Sequence, residues 1–184
     1  WSPSYDYFTH VVLPQFRRYG TIDIALQKRG YYPKGSGEIQ VRCKQRYVYG
    51  EAVKPLSLLH QGTLVKIAGV SHSSADLEGV AERQAQAAHA VLQKWKVPLD
   101  IVSSHSTTAS TGSGITVWAI FSRDQDVDSI DPFRIGADVL GERGKRAELV
   151  GQECAEQLND AIASRAPVDK HLADQLIPLI GIVG

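Results

Sequence analysis

The segment Pro167-Val168-Asp169-Lys170-His171-Leu172-Ala173-Asp174-Gln175-Leu176-Ile177-Pro178 sets three polar side chains at helical spacing. If Asp169 caps a helix that Pro178 limits, His171, Asp174 and Gln175 occupy positions i, i+3 and i+4 and share one face. The leucines of the segment then project to another side. Such a face can bind a small polar ligand, although three isolated polar residues more often form an ordinary solvated helix surface.

Two further segments have an unusual composition, and they occur earlier in the chain. The first is Arg29-Gly30-Tyr31-Tyr32-Pro33-Lys34-Gly35-Ser36-Gly37-Glu38, and the second is Leu140-Gly141-Glu142-Arg143-Gly144-Lys145. Together with the His-Leu-Ala-Asp-Gln-Leu run at residues 171–176, and in the same order, they resemble motifs of the RNA 3'-terminal phosphate cyclase family. Ser36 stands where the family has a glycine. The resemblance extends from about Trp1 to Gly184.

The composition is that of an ordinary globular protein of 184 residues, with 43% hydrophobic and 22% charged residues. Twenty basic residues balance twenty acidic ones, so contact with RNA, if it occurs, must be local. Cys43 and Cys154 form no Cys-x-x-Cys pair, which argues against a disulfide framework, a zinc site and redox activity. Apolar stretches are shorter than the ~20 residues of a membrane helix. We therefore expect an intracellular protein without membrane contact, in the nucleus or cytoplasm.

Hydrophobic spacing predicts the order of helices and strands along the chain. Apolar residues three and four apart indicate a helix over residues 4–19, bent by Pro14, and alternation indicates two antiparallel strands at 21–29 and 38–45. A boundary is predicted near Gly62. Beyond it we expect a strand at 63–70, a helix starting at Ser73 and Ser74, strands at 99–104 and 115–122, and a helix over 145–164; a further strand near 133–139 is left open.

The resemblance implies an α+β protein with three parts. Residues 1–61 would belong to a core of repeated βαβαββ modules, of which they supply a helix-strand-strand portion. Residues 62–168 would form an inserted thioredoxin-like β-α-β-β-α domain, and residues 169–184 would return to the core as the nucleotide-site helix. We expect the chain to be a fragment, with missing segments of the same protein completing the core.

The resemblance also implies a reaction of the ligase class, which forms a phosphoric ester bond. ATP adenylates an enzyme histidine, AMP passes to an RNA 3'-phosphate, and the neighbouring 2'-hydroxyl attacks to leave a 2',3'-cyclic phosphate. The implied cofactors are ATP and Mg²⁺, and the implied partners are RNA 3'-phosphate ends. The adenosine would be bound by His171, Leu172, Ala173, Asp174 and Gln175. Asp174 is also a candidate metal ligand, and the metal's ligands stay unknown.

The family's nucleophilic histidine lies in a His-x-x-Thr motif that follows the His-Leu-Ala-Asp-Gln segment. The resemblance therefore implies no catalytic residue in this chain, and we expect the chain alone to be inactive. His105-Ser106-Thr107-Thr108 fits the pattern, but it precedes that segment and is interpreted as coincidence. The alternatives are a non-catalytic cyclase-like ribosome-assembly factor and a stand-alone interaction module. The intact segment at residues 171–175 favours the enzyme.

Two other groups of residues have both a functional and a structural interpretation. Tyr31, Tyr32 and Lys34 can stack on and contact RNA, or the tyrosines can pack on a neighbouring layer, which we favour. A basic cluster before the last long helix can contact an RNA backbone or pair with Glu142 or Glu148. The cluster consists of Arg143, Lys145 and Arg146.

Overall fold

A computed structural model describes residues 2–53, 55–122 and 133–183. Helix α1 is a continuous run of Tyr5–Tyr7, a π-helical Phe8–Val12 and Leu13–Phe16. The widened turn comes directly before Pro14, which has no N–H to give to an α-helical bond. The remaining elements are β1 (Gly20–Lys28), β2 (Glu38–Gln45), β3 (Thr63–Ser74), α2 (Val80–Leu92), β4 (Leu99–Ser106), β5 (Ser113–Ser122), β6 (Phe133–Leu140), α3 (Ala147–Ala163) and α4 (Lys170–Val183).

The strands form two separate sheets. Strands β1 and β2 make an antiparallel hairpin in which Gly20 pairs with Gln45 and Leu26 with Ile39, as the alternation of apolar residues predicts. A four-stranded sheet has the order β4-β3-β5-β6, with β3 parallel to β4 and the other neighbours antiparallel. The short crossover from β3 to β4 runs through α2, which is the connection that parallel neighbours require.

Each face of the four-stranded sheet is covered by two helices. Side chains of β5 alternate between the faces: Val117 and Phe121 contribute to one core with Leu158 of α3, and Trp118 contributes to the other with Leu172 of α4. Helices α2 and α3 cover the first face, and α1 and α4 cover the second. The boundaries predicted near residues 61 and 168 stay predictions, but apolar packing crosses both of them.

The α+β class is confirmed, and two details of the predicted insert change. Strand β6 belongs fully to the sheet, because Phe133, Ile135, Ala137 and Val139 alternate inward, so the order is β-α-β-β-β-α and not β-α-β-β-α. Strand β3 runs on to Ser74, so the serines predicted to start a helix are buried strand residues. Helix α2 begins only at Val80, after Gly79 in the left-handed region (φ 68°). The thioredoxin likeness stays a prediction.

Helices α2 and α3 approach each other closely at Gly151. A Cβ at this position would collide with the backbone carbonyl oxygen of Gln84. Gln84 is itself buried, accepting a hydrogen bond from Ser71 (2.9 Å) and donating one to Ser113 (3.0 Å). Because both polar atoms are hydrogen-bonded, much of the cost of burying the amide is offset, and the amide joins α2 to β3 and β5.

Candidate functional site

Asp169 holds the start of α4 in place. Its side chain is 6% exposed, and its Oδ1 accepts hydrogen bonds from the Tyr7 hydroxyl (2.6 Å) and the N–H groups of His171 (2.9 Å) and Leu172 (3.0 Å). Its Oδ2 accepts one from the N–H of Gly136 (2.8 Å). The predicted helix cap is confirmed, and the same carboxylate joins α4 to α1 and β6. Burial, and then the charge of Asp169, raise the pKa of Tyr7 above its ordinary value, so the hydroxyl remains a donor.

The polar face of α4 lies outward, as the helical spacing predicts. His171 and Asp174 are exposed and Gln175 is half-buried, and the Gln175 amide donates to Asp174 Oδ2 (3.1 Å). His171 meets the ring of Tyr7 edge-on, with 6.1 Å between ring centroids. The opposite face is apolar and buried in the second core; it consists of Leu172, Leu176 and Leu179.

Two expectations about this helix are corrected. Leu172 is 0% exposed, so its side chain belongs to the core and only its backbone is left to contribute to the predicted adenosine site, whereas Ala173 is exposed. The helix also does not end at Pro178 but continues to Val183. Proline has no N–H, so the i→i−4 bond to the carbonyl of Asp174 is missing.

A cavity of about 340 Å³ lies between the end of α3 and the start of α4. Its polar lining includes His171, whereas Asp174 and Gln175 lie farther along the helix and are not among the lining residues. Sequence reasoning missed the residues that α3 contributes, because their polar character is typical of any solvated helix face and only the fold brings them to α4. The polar lining residues are Gln157, Asp160, Ser164, Asp169, Lys170 and His171.

A second polar cluster is buried between α1, the β1–β2 hairpin and β3. The Arg29 guanidinium donates to both carboxylate oxygens of Asp6, at 2.7 Å and 3.2 Å. The Tyr31 hydroxyl lies 2.7 Å from His72 Nδ1, and His72 Nε2 lies 3.7 Å from Asp6 Oδ2. We infer a neutral ring protonated on Nε2, because the other tautomer would turn a lone pair toward the carboxylate. Tyr31 therefore packs in the protein, as favoured above. For Tyr32 the favoured packing is wrong, because its side chain is 87% exposed.

Acidification is expected to destabilise the protein through His72. Burial and then the Arg29 charge, opposed by Asp6, lower the pKa of His72 from 6.5 to about 4. The folded protein thus binds this proton less readily than the unfolded chain, so stability falls as the pH drops from about 6.5 to about 4, by up to about 3 kcal/mol. Urea unfolding across this pH range measures the loss. His72→Gln should flatten that part of the profile, and an unchanged slope would contradict the assignment.

The histidine of the His-x-x-Thr run, His105, contacts side chains of α2 and β3. His105 Nε2 lies 2.7 Å from Glu82 Oε1, and its Nδ1 lies 3.0 Å from the Ser73 hydroxyl, so both ring nitrogens have protein partners. Within the described ranges, no group of three or more histidine, cysteine, aspartate or glutamate residues is arranged to hold a metal ion. None of the helices in the described residues is long and apolar enough to cross a membrane.

Sequence comparisons give the family of the chain. A model of the insert domain of RNA 3'-terminal phosphate cyclases (RTC) matches residues 59–163. The chain belongs to the RNA 3'-terminal phosphate cyclase family. Relatives named RNA 3'-terminal phosphate cyclase are 39% identical over 186 residues in Thermococcus onnurineus, 40% over 185 in Saccharolobus solfataricus and 37% over 191 in Staphylothermus marinus.

Each of these three alignments covers 100% of this chain and 50–51% of the relative. The chain therefore spans about half the length of the curated relatives it matches. Its three cyclase-family motifs occupy distinct places in the fold. The Arg29 motif joins the hairpin to α1 and β3. Residues 141–145 line a cavity at the start of α3, and residues 171–176 form the first turns of α4.

Proposed function

We propose that the protein acts as an ATP-dependent RNA 3'-terminal phosphate cyclase. The reaction converts an RNA 3'-phosphate to a 2',3'-cyclic phosphate through enzyme-histidine and RNA adenylate intermediates, and it belongs to the ligase class. The supporting observation is the outward polar face of α4, fixed by the buried Asp169 carboxylate, in a chain that is 37–40% identical to relatives of that name. The intact His-Leu-Ala-Asp-Gln sequence at residues 171–175 favours the enzyme over a non-catalytic assembly factor.

The side chains at the start of α4 offer hydrogen-bond donors and acceptors that suit ATP. Lys170 and His171 are exposed beside the helix N-terminus, where the helix dipole favours an anion. The Asp174 carboxylate can accept from ribose hydroxyls, and the Gln175 amide can both donate and accept. Together these side chains would hold the nucleotide and orient it, with the exposed methyl of Ala173 beside them.

Mg²⁺ is compatible with the same face, although the described residues supply no multi-ligand cage. Magnesium is commonly bound by one or two carboxylates together with substrate phosphates and water. Asp174 is exposed and would supply one such carboxylate, neutralising charge on the phosphates of bound ATP.

The β1–β2 hairpin supports the proposal that further segments of the same protein complete the core. Strand β2 is exposed along its whole length, and Ile39 and Val41 are each 52% exposed on it. A two-stranded ribbon with apolar side chains in water is marginally stable and prone to pairing. Additional strands or helices of the native protein would bury these side chains.

Asp174→Ala and Gln175→Ala are each expected to weaken binding of Mg²⁺-ATP about tenfold, because each removes a polar contact to the nucleotide. Isothermal titration calorimetry on the chain measures the affinity. The matched control is Glu156→Ala, since Glu156 is also an exposed helix carboxylate that accepts from a glutamine, Gln152 (2.8 Å). His105→Ala should likewise leave ATP binding unchanged.

Equal affinities for Asp174→Ala and Glu156→Ala would remove α4 from the nucleotide site. In the native protein, end-labelled RNA with a 3'-phosphate should acquire a 2',3'-cyclic phosphate in the presence of ATP. Binding of RNA without any cyclic product would instead favour the assembly-factor alternative.

A further inference from the structure

A cavity of about 740 Å³ lies at one end of the four-stranded sheet, between the starts of α2 and α3. It shares no lining residue with the cavity between the end of α3 and the start of α4. Its size is within the range of small-molecule sites, about 300–1,000 Å³. Leu77, Val80 and Val150 give it an apolar floor, and residues 141–147 form one wall.

The wall carries an excess of cationic side chains. Four cations line the cavity, Arg83, Arg143, Lys145 and Arg146, against the single lining carboxylate of Glu142. Three of the four have acidic neighbours: Arg83 and Arg146 each lie 3.5 Å from Glu148, and Lys145 pairs with Glu153. Pairs as long and as exposed as those of Glu148 are readily exchanged for another anion. Among the described residues, Arg143 has no ion pair.

These cations lie where helix electrostatics opposes them. Arg146 is the N-cap residue of α3, and Arg83 lies in the first turns of α2, so both are close to the positive ends of helix dipoles. Neither helix start has a side-chain cap. Glu148, in the first turn of α3, already offsets part of this repulsion through its long ion pairs with Arg83 and Arg146. A bound anion would offset the remainder while accepting hydrogen bonds from the arginines.

We propose that this cavity binds backbone phosphates of single-stranded RNA, with Arg143 and Arg146 as direct contacts. The inference rests on the proposed function, which supplies RNA as the phosphate-bearing polymer. The apolar floor beside the cations favours a nucleotide over inorganic phosphate, because a ribose or base can pack on Leu77 and Val150 while its phosphate meets the arginines. Gly144, which has a φ of 85° and no atoms near its Cβ position, leaves the approach open.

Arg143→Gln and Arg146→Gln are each expected to weaken binding of a short single-stranded RNA about threefold to tenfold, with a shallower salt dependence. Glu142→Gln is expected to tighten binding, because it removes the lining carboxylate. Fluorescence anisotropy with 5'-labelled RNA, bearing either a 3'-phosphate or a 3'-hydroxyl, measures the affinity at several salt concentrations. Arg42→Gln, an exposed arginine on β2, is the matched control and should bind as the unmodified chain does.

Binding that is unchanged in Arg143→Gln and Arg146→Gln would overturn the inference, as would an absence of RNA binding by the unmodified chain. If inorganic phosphate competes as strongly as RNA, the cavity is a general phosphate site, and its assignment to RNA is wrong. The proposed function is judged separately, by ATP binding to Asp174→Ala, so the two can fail independently. All the substituted side chains are exposed, and thermal unfolding should confirm that the variants fold equally well.

Discussion

Replacing Asp169 with alanine is expected to lower the free energy of unfolding by about 4 kcal/mol. The carboxylate accepts four hydrogen bonds, from Tyr7, Gly136, His171 and Leu172, and it is buried. Each buried donor that loses its partner costs roughly 1–3 kcal/mol, and the loss of the helix cap adds about 1 kcal/mol. These costs overlap, because alanine also opens space that water can enter.

Urea denaturation of the two proteins measures this difference. Asp169→Asn should cost less, since its amide oxygen keeps one acceptor in place. In a Tyr7→Phe background the effect of Asp169→Ala should shrink, because the phenolic donor is already absent, and the double-mutant cycle gives the coupling between the two residues. A loss below about 0.5 kcal/mol, typical of surface substitutions, would contradict the role assigned to the carboxylate.

Asp169→Ala should also weaken ATP binding without removing any residue of the proposed contact face. The cap fixes the first turn of α4, and with it the orientation of His171. If stability falls while ATP affinity stays unchanged under conditions where the variant is folded, the cap serves the fold alone.

The polar face of α4 could be predicted from sequence because its determinants are local. Helical spacing separates His171 and Asp174 from Leu172 and Leu176, and an aspartate before the first turn is a strong capping signal. The β1–β2 hairpin was predictable for the same reason, since alternation and a glycine-rich connection occur within one short stretch. What spacing could not show is that Leu172 is completely buried, because this depends on α1 covering it.

The errors arise where tertiary contacts override a local signal. Ser73 and Ser74 have the composition of a helix start, yet they extend β3, because parallel pairing with His105 and Ser106 continues the ladder to that point. Pro178 is a helix breaker in isolation, but Leu176 and Leu179 on either side are buried in the same core. Packing of both flanking turns outweighs the one hydrogen bond that proline removes.

The basic segment before α3 shows a further limit of sequence reasoning. Glu142 and Glu148 were the expected partners of its cations, and Glu148 does form an ion pair with Arg146. Lys145, however, pairs with Glu153 in the second turn of the helix. Arg83 was not predicted to lie beside this segment, because only the fold brings α2 to it, through the close α2–α3 packing at Gly151 and the ion pair of Arg83 with Glu148. A charge cluster assembled from a helix and a distant loop segment leaves no signal in the spacing of either.

Arg29→Met is expected to destabilise the protein by roughly 3–5 kcal/mol, because it leaves the Asp6 carboxylate buried without its cation. The Arg29 and Asp6 side chains are 9% and 5% exposed, and their two hydrogen bonds join the hairpin to α1. Asp6→Asn should lower stability by a similar amount, because it leaves the Arg29 guanidinium buried without a carboxylate partner. The double variant should be more stable than the sum of the single losses predicts, since neither charge is then buried alone.

The same substitution has a pH signature that a packing defect would not produce. Arg29 lowers the pKa of His72 and Asp6 raises it, so removing the guanidinium lets the imidazolium take its place beside the carboxylate. The pKa of His72 in folded Arg29→Met should therefore rise, and the loss of stability between about pH 6.5 and about pH 4 should shrink. NMR titration of the His72 ring in both proteins measures the shift. An unchanged or lower pKa in the variant would show that Arg29, Asp6 and His72 do not form one electrostatic unit.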